Sequence, residues 1–122
     1  MKHHSPQFLK IVEDAKSRVM EIPVSEVVQY LKKRAKFHFV DVREESEWSA
    51  GHAKGAVHIG RGILERDVEK KIPDPESLIV LYCGGGFRSA LAADSLQKMG
   101  YKNVRSMAGG WSAWREARAP TE

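Results

Sequence analysis

The stretch LIVLYCGGGFRSALAADSLQKMG, residues 78–100, joins an apolar segment, a turn with three glycines and an amphipathic segment. Leu78–Tyr82 is predicted to be a short buried strand, because it is a continuous run of large apolar and aromatic residues. After the turn, apolar residues recur at helical spacing until Gly100, which predicts the end of a helix. The only cysteine of the chain, Cys83, is therefore expected where a strand ends and a helix begins.

The turn CGGGFRS, residues 83–89, predicts a cradle for an anion. Glycines allow positive φ angles and let successive N–H groups point inward, and the helix N-terminus adds partial positive charge. These groups and Arg88 favour a thiolate at Cys83, which would make it a nucleophile. A lone cysteine is commonly a small buried hydrophobic residue, but that role explains neither three glycines nor a following arginine.

Three other chemistries use a glycine-rich turn of this kind. A dinucleotide site would need a third glycine where Ser89 stands and an acidic residue roughly 20 positions later. A phosphate-binding P-loop would need Gly-Lys-Ser/Thr after the turn. Cysteine-dependent phosphatases place five residues between cysteine and arginine, whereas four separate Cys83 from Arg88. The shorter loop suits a single bound sulfur atom better than a phosphoryl group, so a phosphatase remains the third alternative.

Four motifs follow one another along the chain, namely DVREESEW at 41–48, GHAKGAVHI at 51–59, CGGGFRS at 83–89 and MAGGWSAW at 107–114. Together they resemble the motifs of single-domain rhodaneses, a family of sulfurtransferases, over about residues 22–117. The resemblance implies an α/β fold. With the alternating helix and strand patterns it predicts a small parallel sheet flanked by helices on both faces, with an extra N-terminal helix.

The resemblance implies transfer of sulfane sulfur from thiosulfate or a persulfide donor to cyanide or a thiol, through a persulfide on Cys83. The expected substrate-binding residues are Gly84, Gly85, Gly86, Phe87, Arg88 and Ser89. Arg88 is expected to attract an anionic donor, and Arg61, between two glycines, to be a second anion contact at the pocket mouth. No cofactor or metal is required. A protein sulfur donor or acceptor stays open, as does the alternative of a non-catalytic sulfur carrier or interaction module.

Composition indicates one small domain in a reducing compartment. The 122 residues are 42% hydrophobic and 30% charged, and the net charge of +4 is spread along the chain, which predicts solvated helix faces and no nucleic-acid binding. A single cysteine forms no internal disulfide. The early apolar run is interrupted by Lys10, so neither a signal peptide nor a membrane span is predicted. We expect a cytoplasmic protein without membrane partners, and its oligomeric state stays open.

The predicted organisation is an N-terminal helical extension (1–21), a rhodanese-like domain (22–118) and a tail (119–122), with residues 1–5 also predicted as a tail. The apolar pattern predicts helices over about 8–19, 63–71 and 110–118, a helix capped by Ser25, strands over 37–42 and 104–107, and a loop from the first of these strands through Gly60.

The remaining polar and aromatic candidates are interpreted as structural. Asp41 is predicted to lie on the same sheet edge as Cys83 and to pair with Arg43. The side chains of His52 and His58 are predicted to hold backbone groups. Packing roles are predicted for the three tryptophans, Trp48, Trp111 and Trp114.

Overall fold

A computed structural model describes residues 4–122. That part of the chain forms six helices and five strands. In chain order they are α1 (Pro6–Lys16), β1 (Met20–Ile22), α2 (Val24–Lys32), β2 (His38–Asp41), α3 (Glu45–Ala50), β3 (Val57–His58), α4 (Leu64–Lys71), β4 (Leu78–Tyr82), α5 (Phe87–Lys98), β5 (Asn103–Met107) and α6 (Gly110–Glu116).

The strands form one parallel sheet in the order β1-β5-β4-β2-β3. The central strand β4 lies between β2 and β5, with His38 opposite Ile79 and Leu78 opposite Asn103. Asp41, the last residue of β2, pairs with Tyr82. The parallel α/β fold is therefore confirmed, and Asp41 and Cys83 share the carboxyl edge of the sheet, where ligands bind in such folds.

Alternate residues of β4 point into two separate hydrophobic clusters. Ile79 and Leu81 belong to a cluster that includes Leu96 of α5. Val80 and Tyr82 belong to the other cluster, which includes buried residues of α2 and α6. Because neighbouring strand residues face opposite sides, this pattern shows that helices cover both faces of the sheet, as predicted.

The predicted N-terminal helix is present as α1 and packs against α5. The hydroxyl of Ser5 caps the helix by accepting a hydrogen bond from the amide of Phe8. Val12 is buried on the packed face. Just after the helix, the guanidinium of Arg18 donates to both carboxylate oxygens of Asp94 at 3.0 and 2.8 Å. These contacts fix α1 on the surface of the domain.

Three short elements differ from the sequence prediction. The segment predicted as a loop contains α3 and β3, and β1 crosses the predicted boundary between residues 21 and 22. Strands of two or three residues are too short to show a hydrophobic period, and α3 has no buried residue to produce one. The prediction for Ser25 was wrong, because α2 begins at Val24 and its N-cap is Pro23, two residues before Ser25.

The segment 119–122, predicted as a tail, lies against the loop before β3. Thr121 and Ala53 form an antiparallel bridge, and His52 and Glu122 exchange two backbone hydrogen bonds of 3.0 and 2.9 Å. This pairing joins segments about 70 positions apart, so local sequence gives no sign of it. In the other predicted tail, residues 1–3 lie outside the described residues, and Ser5 caps α1.

Candidate active site

Cys83 lies between β4 and α5, with its thiol inside the turn. The residue is 1% exposed. The sulfur atom accepts hydrogen bonds from the backbone amides of Gly86 at 3.1 Å and Ser89 at 3.3 Å. Amides in the first turn of a helix have no partners within that helix, so they are free to bind an anion. The turn therefore directs two amide donors at one sulfur atom, as its sequence predicted.

A pair of buried hydroxyl groups lies beside the cysteine. The hydroxyl of Ser89 is 3.5 Å from the Cys83 sulfur and 2.8 Å from the hydroxyl of Ser106 on β5. Both serines are fully buried. Sequence reasoning did not select Ser106. Ser106 pairs with Leu81 near the end of β4, and this pairing places it beside Cys83. The pairing depends on the order of the strands in the sheet.

The three glycines of the turn have different roles. Gly86 has a φ of +95° at the N-cap of α5, a conformation that favours glycine. Gly84 and Gly85 are not among the glycines with positive φ. A Cβ at Gly84 would lie 3.3 Å from a nitrogen of Arg88, and a Cβ at Gly85 would meet nothing within 4 Å. The predicted need for positive φ thus holds for Gly86 alone.

The start of α6 supports the turn from behind. The amide of Trp111 donates to the Cys83 carbonyl at 2.7 Å, and the amide of Ser112 donates to the Gly84 carbonyl at 3.1 Å. Gly110 has a φ of +54°, and a Cβ there would overlap the Cys83 carbonyl oxygen. This close approach explains why glycine is the first residue of α6.

Arg88 forms a bidentate pair with Glu47 of α3. Its two terminal nitrogens donate to the two carboxylate oxygens at 3.0 and 3.2 Å. Glu47 also accepts the amide of Glu44, which completes a capping box. The hydrogen bond from Arg88 lowers the pKa of Glu47 to about 2. Arg88 was expected to offer its charge to an anionic donor, but the carboxylate of Glu47 offsets that charge in the structure.

A cavity of about 550 Å³ opens onto Cys83. The turn and the Arg88–Glu47 pair form part of its lining, and Trp111 forms another part. The N-terminal helix region contributes His4 and Phe8. Sequence reasoning did not select His4, Phe8 or Glu47 as site residues, because these contacts depend on how α1 and α3 pack.

Arg61 lies away from this cavity. Its guanidinium donates to Glu65 at 2.8 Å and to the hydroxyl of Ser95 at 3.2 Å. It is not among the residues that line the cavity with Cys83. A carboxylate one helical turn later is a close partner for an arginine, and it directs Arg61 to α4 and α5 instead of the pocket mouth.

The buried ion pair beside the site is structural, as predicted. Arg43 and Asp41 are 3% and 0% exposed at their side chains, and their closest charged atoms are 2.8 Å apart. The ring of His58 contacts the Arg43 carbonyl at 2.7 Å, and the ring of His52 contacts the Trp48 carbonyl at 3.1 Å. Both histidines therefore hold the backbone, and neither lines the cavity at Cys83.

The three tryptophans have distinct environments. Trp114 is fully buried and donates its indole N–H to the Pro120 carbonyl at 2.7 Å. Trp48 stacks on His52 with ring centroids 3.4 Å apart. The packing role is confirmed for these two residues. Trp111 also lines the cavity, so it has a place in the site that the packing interpretation omitted.

Two features are absent from residues 4–122. No group of three or more His, Cys, Asp and Glu side chains is placed to hold a metal ion. None of the described helices has the length and apolar character that crossing a membrane requires.

The chain belongs to the rhodanese family, since the family model described as rhodanese-like domain matches residues 24–117. Thiosulfate sulfurtransferase GlpE of Haemophilus influenzae is 34% identical over 84 residues, which are 68% of this chain and 77% of that protein. These findings confirm the resemblance seen in the four motifs.

Two solved structures are similar over nearly the whole chain. One, from Rhodopseudomonas palustris, is described as a protein of unknown function and possible tyrosine phosphatase; it is 30% identical, with a TM-score of 0.86 over 100% of this chain and 99% of its own. The polysulfide-sulfur transferase homodimer from Wolinella succinogenes is 28% identical, with a TM-score of 0.81 over 95% of this chain and 87% of its own. The first similarity therefore includes α1.

Proposed function

We propose that this protein is a rhodanese-type sulfurtransferase that carries sulfane sulfur as a persulfide on Cys83. The observation that carries the proposal is the convergence of the Gly86 and Ser89 amides on the Cys83 sulfur, at 3.1 and 3.3 Å. Membership of the rhodanese-like family and the GlpE relative, named as a thiosulfate sulfurtransferase, support it.

The reaction is a double displacement. In the first step the Cys83 thiolate attacks the outer sulfur of thiosulfate, the sulfur–sulfur bond of the donor breaks, and sulfite leaves with the bonding electrons. In the second step cyanide attacks the terminal sulfur of the persulfide, which releases thiocyanate and restores the thiolate. A thiol acceptor would take the sulfur in the same way and become a persulfide.

The turn stabilises the charged sulfur in both states. Donors that are fixed before the reaction stabilise an anion without having to reorganise. The Gly86 and Ser89 amides already contact the cysteine sulfur, and the amides of Phe87 and Arg88 open the same helix. The terminal sulfur of the persulfide would bind these neighbouring amides. Arg88, through its pair with Glu47, would hold the turn to α3.

A test is the formation of thiocyanate from a sulfur donor and cyanide. We expect turnover by the wild type and none above background by Cys83→Ser, because a hydroxyl is a poor nucleophile toward sulfane sulfur and stores no persulfide. Ser49→Ala, a change at an exposed serine of α3 that does not line the cavity, is the control for general damage. Full activity in Cys83→Ser would refute the mechanism.

The same preparations should be assayed with an aryl phosphate. Hydrolysis that depends on Cys83 and exceeds sulfur transfer would favour the phosphatase alternative, to which the description of the Rhodopseudomonas structure also points. Loading of Cys83 by a protein persulfide, without turnover of small donors, would favour a sulfur carrier.

A further inference from the structure

The N-terminal helix forms an aromatic wall in the cavity of Cys83. Phe8 and His4 lie against Phe87, the first residue of α5, with ring centroids 6.3 and 4.6 Å from its ring. We infer that this aromatic wall, formed by His4, Phe8 and Phe87, makes the site selective for sulfur donors that carry an aryl group on the leaving side. The inference rests on the proposed sulfurtransferase function and names its class of donor.

The size of the cavity supports an organic donor. Its volume of about 550 Å³ lies within the range of pockets that hold organic ligands. An inorganic oxyanion such as thiosulfate would fill a small part of that volume. A donor with an aryl group would occupy the space between Cys83 and Phe8 while its sulfane sulfur meets the thiol.

The charges around the cavity also favour an organic donor over thiosulfate. Arg88 is the only lysine or arginine among the described residues that line it, and Glu47 offsets that charge at 3.0 Å. The Lys16 ammonium lies outside the lining, 5.0 Å from the centroid of the Phe87 ring. A thiolate on Cys83 adds a further negative charge. A doubly charged inorganic donor therefore meets more repulsion than a singly charged organic donor does.

The aromatic wall is held in place before any donor binds. Val12 and Ala15 are buried, and Arg18 bonds both oxygens of Asp94 on α5. A contact surface that is already ordered loses little entropy on binding. Aromatic rings at these separations gain from edge or offset contacts with a further ring.

The donor chemistry balances with an arylthiosulfonate anion. The Cys83 thiolate attacks the terminal sulfur, the bond between that sulfur and the sulfonyl group breaks, and the arylsulfinate leaves with the electron pair. The enzyme gains one sulfur atom and keeps one negative charge on the persulfide. Cyanide then removes the sulfur as thiocyanate.

The experiment compares two donors that share one reacting group. Benzenethiosulfonate and methanethiosulfonate are both singly charged, and they differ only in the ring. We expect the ratio of their kcat/KM values, aryl over methyl, to fall about tenfold in Phe8→Ala. Leu9→Ala removes an apolar side chain that is 42% exposed on the same helix, and it should leave the ratio unchanged.

Because Phe8 also packs on Phe87, thermal unfolding must show that Phe8→Ala is folded. His4→Ala is a second variant, at a position that precedes α1. It should lower the aryl-over-methyl ratio of kcat/KM about threefold. An unchanged ratio in both variants would overturn the inference, and so would loading of Cys83 by a protein donor alone. Neither result would refute sulfur transfer, whereas a lack of thiocyanate and of added sulfur with every donor would refute the proposed function itself.

Discussion

The floor and the wall of the cavity are built in different ways. The floor consists of the Cys83 sulfur with the Gly86 and Ser89 amides, all within seven consecutive residues. The wall adds side chains from a distant part of the chain, because His4 and Phe8 of the N-terminal region lie against Phe87 of the turn. The floor is made largely of backbone groups, and the wall is made of side chains.

This difference separates two properties of the site. The floor contacts the sulfur atom that every donor delivers, so a change there should affect all donors alike. The wall contacts the part of the donor that leaves, so a change there should alter the preference among donors. The following predictions test that separation.

The largest effect is expected at the support beneath the floor. In Gly110→Ala the new Cβ would overlap the Cys83 carbonyl oxygen, so the turn or α6 must shift. We expect a loss of about 2–4 kcal/mol in the free energy of unfolding and about a hundredfold fall in kcat/KM with every donor. Gly85→Ala is the matched control, since its Cβ meets nothing within 4 Å, and it should cost less than ~0.5 kcal/mol. Urea unfolding and initial rates measure both effects, and equal behaviour of the two variants would contradict this account.

A smaller effect is expected at the hydroxyl pair behind the sulfur. Ser89→Ala removes the hydroxyl 3.5 Å from the Cys83 sulfur and the partner of Ser106 at 2.8 Å. Loss of this hydrogen-bond partner of the sulfur should lower kcat/KM about tenfold, by the same factor for thiosulfate and for benzenethiosulfonate. If the two donors were affected unequally, the floor would take part in donor selection.

The Arg88–Glu47 pair should affect the preference between donors of different charge. Glu47→Gln keeps an acceptor for the Glu44 amide and leaves the charge of Arg88 without its counter-charge. We expect kcat/KM for the thiosulfate dianion to rise roughly three- to fivefold, with a smaller rise for a monoanionic thiosulfonate. Glu65→Gln, which disrupts the Arg61 pair outside the cavity, is the control. A fall in thiosulfate activity would show that the pair is needed to shape the turn.

The smallest effect concerns stability at low pH. The hydrogen bond from Arg88 lowers the pKa of Glu47 to about 2 from an ordinary value of 4.5. Between these values the unfolded chain binds more protons at Glu47 than the folded protein does, so stability falls as the pH falls from 4.5 toward 2. The side chain is 36% exposed, which limits the contribution to about 1 kcal/mol or less. Urea unfolding across this range should show a weaker pH dependence in Glu47→Gln, and an identical dependence would argue against the pair.

The sequence was most informative where structure depends on neighbouring residues. The strand Leu78–Tyr82 was predicted with its observed bounds, and the position of Cys83 followed from it. The Asp41–Arg43 pair is also local, being two residues apart. The partner of Arg88 was missed because Glu47 lies 41 positions away in the chain. Glu65 is four residues after Arg61, so that pair was open to prediction from helical spacing.

The aromatic wall and the end of the chain show the limit of such prediction. Phe8 could be assigned to a helix, but nothing in its surroundings indicates that it meets Phe87, 79 positions later. The pairing of Thr121 with Ala53 is similarly remote. Contacts of this kind depend on how the whole domain packs. The spacing of hydrophobic residues and the residue types of turns therefore do not predict them.

The most direct test of the central claim is the intact mass of the protein after incubation with a sulfur donor, followed by a cyanide chase. We expect the wild type to gain the mass of one sulfur atom and to lose it to cyanide, which leaves as thiocyanate. We expect the Cys83→Ser variant to gain no mass. The account would be contradicted if no donor, inorganic, organic or protein-bound, added sulfur to the wild type, or if Cys83→Ser gained sulfur as readily.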